Sequence, residues 1–169
     1  ISPQKAPDVF IKMAKLVRDK ISTAHFIIVG NGEQENEIRK YAEDNGFSDS
    51  LHITGWVDNP MSYVELFDVA CLLSRWEGFG LALPEYMMAD KPIVASRVDA
   101  IPNIIRNGEN GLLVEPDNYR DACQKVLEIY WNSKLRERLK ENEMVSLHRF
   151  DAKRVGVQHQ QLFEKIAEQ

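Results

Sequence analysis

Two carboxylates, Glu77 and Glu85, bracket a short stretch that opens with the turn Gly78-Phe79-Gly80 and continues through Leu81. The apolar run Val69-Ala70-Cys71-Leu72-Leu73 leads into it and reads as a buried strand of a parallel sheet, while Leu81 to Ala89 reads as a helix. Two glycines flanking a phenylalanine let backbone amides come close to a ligand. A strand that feeds such a turn at a helix start directs free N–H groups and the helix dipole at one spot, which suits phosphate. Each carboxylate accepts two hydroxyl hydrogen bonds at once, which suits the vicinal diols of sugars and ribose. The plainer reading makes Glu77 a solvated acid and Glu85 a first-turn acid favoured by the dipole.

These residues need elements to hold them, and the chain supplies strands alternating with helices. Pro7 suits a first helical turn, and Phe10, Met13, Ala14 and Val17 follow at helical spacing. His25 to Val29 is a short apolar strand ending at Gly30-Asn31-Gly32, and Glu33 to Asn45 is a charged amphipathic helix stopped by Asn45-Gly46. Leu51 to Thr54 predicts the next strand, followed by Gly55-Trp56-Val57, a turn at Asp58-Asn59-Pro60, and a short helix from Met61 to Leu66. Lys91 to Ala95 and Leu112 to Val114 predict two more strands, with a short helix near Ile101–Arg106 between them. Beyond the cap pair Asp117-Asn118 the pattern is all helical, with one stripe of Ala122, Val126, Leu127 and Tyr130 and another of Val155, Leu162, Phe163 and Ile166. This order predicts an α/β fold, a doubly wound parallel sheet with a helical C-terminal segment, whose ligands bind beyond the carboxyl ends of the strands.

Composition narrows the function classes. The 169 residues are 44% hydrophobic and 28% charged, which is ordinary for one globular domain and excludes disordered and collagen-like readings. A net charge of −5 argues against a nucleic-acid partner held by counterion release. No apolar run approaches the ~20 residues of a membrane span. Cys71 and Cys123 lack metal-site or redox-pair spacing and read as buried thiols of a reducing, cytoplasmic compartment. His25, His52, His148 and His159 are scattered without metal-ligand spacing, and there is no Asp-x-Asp pair.

The string from Glu77 to Glu85 resembles the E-x7-E motif of the retaining glycosyltransferases of family 4, and the resemblance continues through Lys91-Pro92-Ile93-Val94-Ala95-Ser96, Ala100-Ile101-Pro102 and Asn110-Gly111-Leu112-Leu113-Val114. It covers nearly the whole chain as the Rossmann-like C-terminal half of a two-domain GT-B enzyme. The resemblance implies a nucleoside-diphosphate sugar donor, no metal or other cofactor, and a role in polysaccharide or glycan assembly. It implies that Glu85 holds the ribose hydroxyls, that Glu77 contacts the donor sugar, and that the amides around Gly78, Phe79, Gly80 and Leu81 meet the sugar and diphosphate. Lys5 matches the family's basic residue on the diphosphate; taken alone it is an exposed loop lysine. Trp56 and Val57 lie where the family lines the nucleobase pocket, although Trp56 also reads as a half-buried packing aromatic. Gly30 and Gly32 let backbone approach the donor, or serve only a tight turn.

Three features depart from the pattern. Ile1-Ser2-Pro3-Gln4-Lys5 reads as the tail of a strand plus a loop, so the expectation is an excised domain lacking its first strand and the N-terminal acceptor domain. The family's usual arginine then falls before Ile1, and any peripheral membrane contact falls to the missing domain. Where the family commonly has Gly-Gly-Ile-Pro-Glu, this chain has Asp99-Ala100-Ile101-Pro102-Asn103. Two other readings fit the fold: a GT-B sugar-nucleotide epimerase, and a non-enzymatic flavodoxin-like regulatory or interaction domain.

Overall fold

The computed structural model describes residues 1–150 and 152–167. A 3-10 turn at Pro3–Lys5, where a strand tail and loop were expected, leads into helix α1 (Pro7–Lys20). There follow β1 (Phe26–Ile28), α2 (Glu35–Asp44), β2 (Leu51–Ile53), α3 (Met61–Val64), β3 (Ala70–Leu72), α4 (Ala82–Met88), β4 (Ile93–Ser96), α5 (Ile101–Ile104) and β5 (Leu112–Val114). The chain closes with α6 (Tyr119–Trp131), α7 (Ser133–Leu147) and α8 (Ala152–Ala167).

Every ladder is parallel. β1 pairs with β2 (Phe26 opposite Leu51), β3 with β4 (Ala70 opposite Ile93), and β4 with β5 (Val94 opposite Leu112). Because successive strand residues face opposite sides, β4 sends Val94 into one core and Ile93 and Ala95 into another. The first core joins both sheets, through Phe26, Leu51, Leu73, Val94, Leu112 and Val114, to α1 and α6. The second packs Leu72, Ile93, Ala95 and Leu113 against Leu83 and Met87 of α4 and Ile101 and Ile104 of α5. Helices on both faces of parallel strands are the doubly wound arrangement expected, and each fully buried Leu or Ile contributes about 1.5–3 kcal/mol.

β1 and β3 are each paired on one side, and a groove of about 720 Å³ runs between them. Its walls include Phe26 to Val29, Cys71 to Leu73, Phe10 and Met13 of α1, and Glu85 and Tyr86 of α4.

The helical tail departs from expectation in both stripes, and Tyr130 of the first is 42% exposed. Asn118 caps α6, its side chain accepting from the Asp121 N–H at 3.1 Å, and Ala122 and Leu127 of the first stripe are buried. Leu162, Phe163 and Ile166 of the second stripe are exposed instead, because no other element covers that face of α8 among the described residues; the Val155 side chain lies outside them. Asn132 ends α6 and caps α7, accepting from the Leu135 N–H at 3.0 Å. On α7, Glu143 is 0% exposed, and neither carboxylate oxygen forms a regular hydrogen bond among the described residues.

Candidate functional site

The site grows from the end of β3. Ser74 and Glu77 are buried polar residues, Glu77 only 6% exposed, on a segment that the Pro3–Lys5 turn staples down. The Arg75 N–H donates to the Gln4 carbonyl at 2.8 Å, and Gln4 Nε2 donates to the Trp76 carbonyl at 3.1 Å. The Arg75 guanidinium donates to Asp117 Oδ1 at 2.7 Å, Asp8 Oδ2 at 2.8 Å and the Pro3 carbonyl at 2.9 Å. Burial works against ionisation of Asp8, but the hydrogen bond and charge of Arg75 outweigh it and hold the carboxyl below its ordinary value. Arg75 is raised in turn, first by its hydrogen bond to Asp8.

This framework brings Lys5 and Glu77 together. Lys5 Nζ lies 2.5 Å from Glu77 Oε1, and the Ser74 hydroxyl donates to the same oxygen at 2.7 Å. Glu77 Oε2 has no protein partner among the described residues, so one acceptor of a held carboxylate stays open. The Glu77 N–H donates to Asp99 Oδ2 at 2.8 Å.

Beyond Glu77 the backbone turns sharply. The N–H groups of Gly78, Phe79, Gly80 and Leu81 meet no acceptor among the described residues. Four neighbouring free donors suit an anion. Gly80 has φ +80°, and a Cβ there would lie 2.8 Å from Ile101 Cδ1, so the fold itself requires glycine. Gly78 differs, because a Cβ there would meet nothing within 4 Å. Phe79 packs edge-on against Phe150 at 5.7 Å. Glu85, on the first turn of α4, is exposed and shares the groove with Lys5. The Tyr86 phenol lies above its ordinary value mainly through burial, with the charges of Cys71, Glu85 and Glu77 adding to it.

The remaining expected residues stand at neighbouring strand ends without touching the Lys5–Glu77 pair. Gly30 follows β1 with φ +118° and donates its N–H to Thr54 Oγ1 at 3.2 Å; it also bridges to Gly55. A left-handed turn therefore accounts for this glycine. Trp56 is 80% exposed beside half-buried Val57, which removes the packing alternative for the indole. Gly32 lies against Ile1, and His25 and His52 pair with each other at 2.9 Å across β1 and β2. Cys71 is half-buried on the groove wall, and burial pushes its thiol up to about 12.

Sequence reasoning missed Ser74, Arg75 and Asp99. Ser74 sits three residues before Glu77 at a strand end, a visible spacing. The signal for Asp99 was its departure from the family's glycine, at a position where the backbone has φ +42°.

Comparison with known proteins places this chain in a family of enzymes. Residues 1–144 match the family described as glycosyl transferases group 1. The poly(ribitol-phosphate) alpha-N-acetylglucosaminyltransferase of Staphylococcus aureus is 31% identical over 134 residues, which cover 79% of this chain and 27% of that enzyme. A mutant S. aureus TarM, solved with fondaparinux, alpha-GlcNAc-glycerol and UDP, superposes with a TM-score of 0.82 at 28% identity, covering 87% of this chain and 30% of that one. Anabaena Alr3699/HepE, solved with UDP-glucose, shares the fold at a TM-score of 0.85 and 21% identity, covering 100% of this chain and 47% of that one. The chain thus spans less than half the length of these relatives.

Proposed function

This chain belongs to the glycosyl transferases group 1 family, and from that membership we propose that it forms the donor-binding half of a retaining glycosyltransferase acting in glycan or polysaccharide synthesis. The observation that carries the reading is the Lys5–Glu77 pair set beside the free amides of Gly78 to Leu81. The donor is a nucleoside-diphosphate sugar. Its diphosphate lies on those amides and on Lys5, and a sugar hydroxyl donates to the open Oε2 of Glu77. Glu85 accepts the ribose hydroxyls from α4. The base lies toward Trp56 and Val57, and the backbone at Gly30 borders the donor.

In transfer, the bond between the anomeric carbon and the diphosphate oxygen breaks, a bond to the acceptor oxygen forms on the same face, and the acceptor hydroxyl proton passes to the departing diphosphate. Negative charge grows on the leaving diphosphate, and Lys5 and the turn amides stabilise it there more than in the ground state. Glu77 holds the sugar while this happens. The reading needs neither a metal ion nor an organic cofactor. The acceptor comes from a further domain of the same protein. The groove between β1 and β3 fits one more extended strand of that protein, which would merge the two parallel sheets. A cytoplasmic setting accords with the free thiols Cys71 and Cys123, and no described helix is long and apolar enough to cross a membrane.

The test is calorimetry of the folded chain with UDP, GDP and ADP. One of the three binds, and Lys5→Ala weakens it about ten- to a hundred-fold, the range for a hydrogen bond to a charged group. A folded chain that binds none of them overturns the donor reading in favour of a flavodoxin-like interaction domain. No feature of the site favours an epimerase, whose catalytic histidines have no counterpart around Glu77 among the described residues.

A further inference from the structure

We infer that Asp99 is a positioning residue for Glu77, acting through the peptide that joins Trp76 to Glu77; the inference rests on the donor-site reading above. That peptide is gripped at both ends. Its carbonyl accepts from Gln4 Nε2 at 3.1 Å, and its N–H donates to Asp99 Oδ2 at 2.8 Å. With the peptide plane fixed, the Glu77 Cα is held in place, and from there the side chain reaches Ser74 and Lys5 with Oε2 open.

Asp99 is itself held from the other side. The loop after β4 is pinned to β5 by the Arg97 N–H on the Val114 carbonyl at 2.8 Å, and the Ile101 N–H donates to the Val98 carbonyl at 2.9 Å. Within this loop Asp99 keeps φ +42°, a conformation that disfavours a side chain and that glycine adopts freely. The only acceptor role the geometry gives its carboxylate, among the described residues, is the Glu77 N–H.

The donor pattern gives the same role a chemical direction. Asp99 takes the first donor of the turn, so that N–H is withdrawn from the diphosphate, and the Glu77 carboxylate is left to accept hydroxyls. The free donors begin at Gly78. The sugar therefore lies at the Glu77 and Asp99 end and the diphosphate at the Gly78 to Leu81 end. Asp99 acts on recognition of the sugar and leaves the nucleotide alone.

The experiment compares Asp99→Ala, Asp99→Asn and Asp99→Gly with the unaltered chain, using UDP and UDP-glucose in calorimetry, thermal melting, and hydrogen exchange at the Glu77 amide without ligand. Asp99→Ala and Asp99→Gly lose roughly tenfold in UDP-glucose affinity and stay within about twofold for UDP. Asp99→Asn, whose amide oxygen still accepts the Glu77 N–H, keeps UDP-glucose binding within about twofold. Asp99→Gly melts no lower than the unaltered chain, which separates the binding loss from unfolding. Exchange at the Glu77 amide accelerates about tenfold in the Ala and Gly variants and not in Asn. Equal losses for both ligands, failure of Asn to rescue, or unchanged exchange in Asp99→Ala overturns the inference. An unaltered chain that binds neither UDP nor UDP-glucose, nor the GDP and ADP counterparts, overturns the donor reading instead, whatever the exchange result.

Discussion

Glu143 makes the stability of this chain depend on pH in a direction that can be worked out. Burial on α7 disfavours the charged form, and the nearby Asp90 carboxylate adds to this; the Ile93 backbone and the Lys140 charge offset only part. Its carboxyl is pushed from 4.5 up to about 9, so the folded chain carries it protonated at pH 7. The unfolded chain does not, and unfolding therefore releases a proton. Stability is highest below the unfolded value of 4.5 and falls as pH rises toward 9. At 1.36 kcal/mol per pH unit, the penalty at pH 7 is about 3 kcal/mol, and near pH 5 it is under about 1 kcal/mol. Glu143→Gln removes the titration at nearly constant shape, and Glu143→Met also removes the polar atoms. Urea unfolding of all three proteins at pH 5, 7 and 8.5 measures the difference. Both variants gain on the order of 3 kcal/mol over the unaltered chain at pH 7, more at pH 8.5, and little at pH 5. A variant advantage that is the same at all three pH values, or no advantage at pH 8.5, refutes the assignment of a neutral buried acid.

Three further outcomes follow from the site. Glu85→Ala weakens nucleotide binding by ~1.5–3 kcal/mol, about ten- to a hundred-fold, in calorimetry on the folded variant; unchanged affinity removes the ribose assignment. Glu77→Gln loses more affinity for UDP-glucose than for UDP, and equal losses mean that the carboxylate does not act on the sugar. Gly80→Ala lowers the unfolding free energy by about 1–3 kcal/mol, because its Cβ meets Ile101 at positive φ, whereas Gly78→Ala leaves the melting temperature unchanged and reduces ligand affinity.

Much of the fold was legible because the strands are short apolar runs with turn residues after them. Leu112 to Val114 was placed to the residue, and β1 to β4 fall within a residue or two of the runs that predicted them. The Glu77 to Glu85 string was legible because its glycines and acids are adjacent in sequence and their roles are local. What was not legible depends on elements distant in the chain. Lys5 reaches Glu77, and Asp99 reaches the Glu77 N–H, only after strands have brought three loops to one edge. Glu143 reads as an ordinary charged helix residue, since α7 is rich in charge and nothing local marks which position turns inward. The apolar stripe of Leu162, Phe163 and Ile166 was visible as a pattern, but periodicity cannot say what, if anything, covers it.

The course of α7 has a consequence for how the chain comes apart. Leu135 and Leu139 lie in the core shared with α1 and α6, while Leu147, at the far end of the same helix, packs on the core under α4 and α5. The two cores are on opposite faces of the strands, yet one rigid rod is seated in both. Loosening either face withdraws part of that rod from the other, so the two halves melt in a single transition instead of peeling away in sequence. Amide protons under α4 and those under α1 then exchange through the same global opening, and a nick within α7 splits that one transition into two.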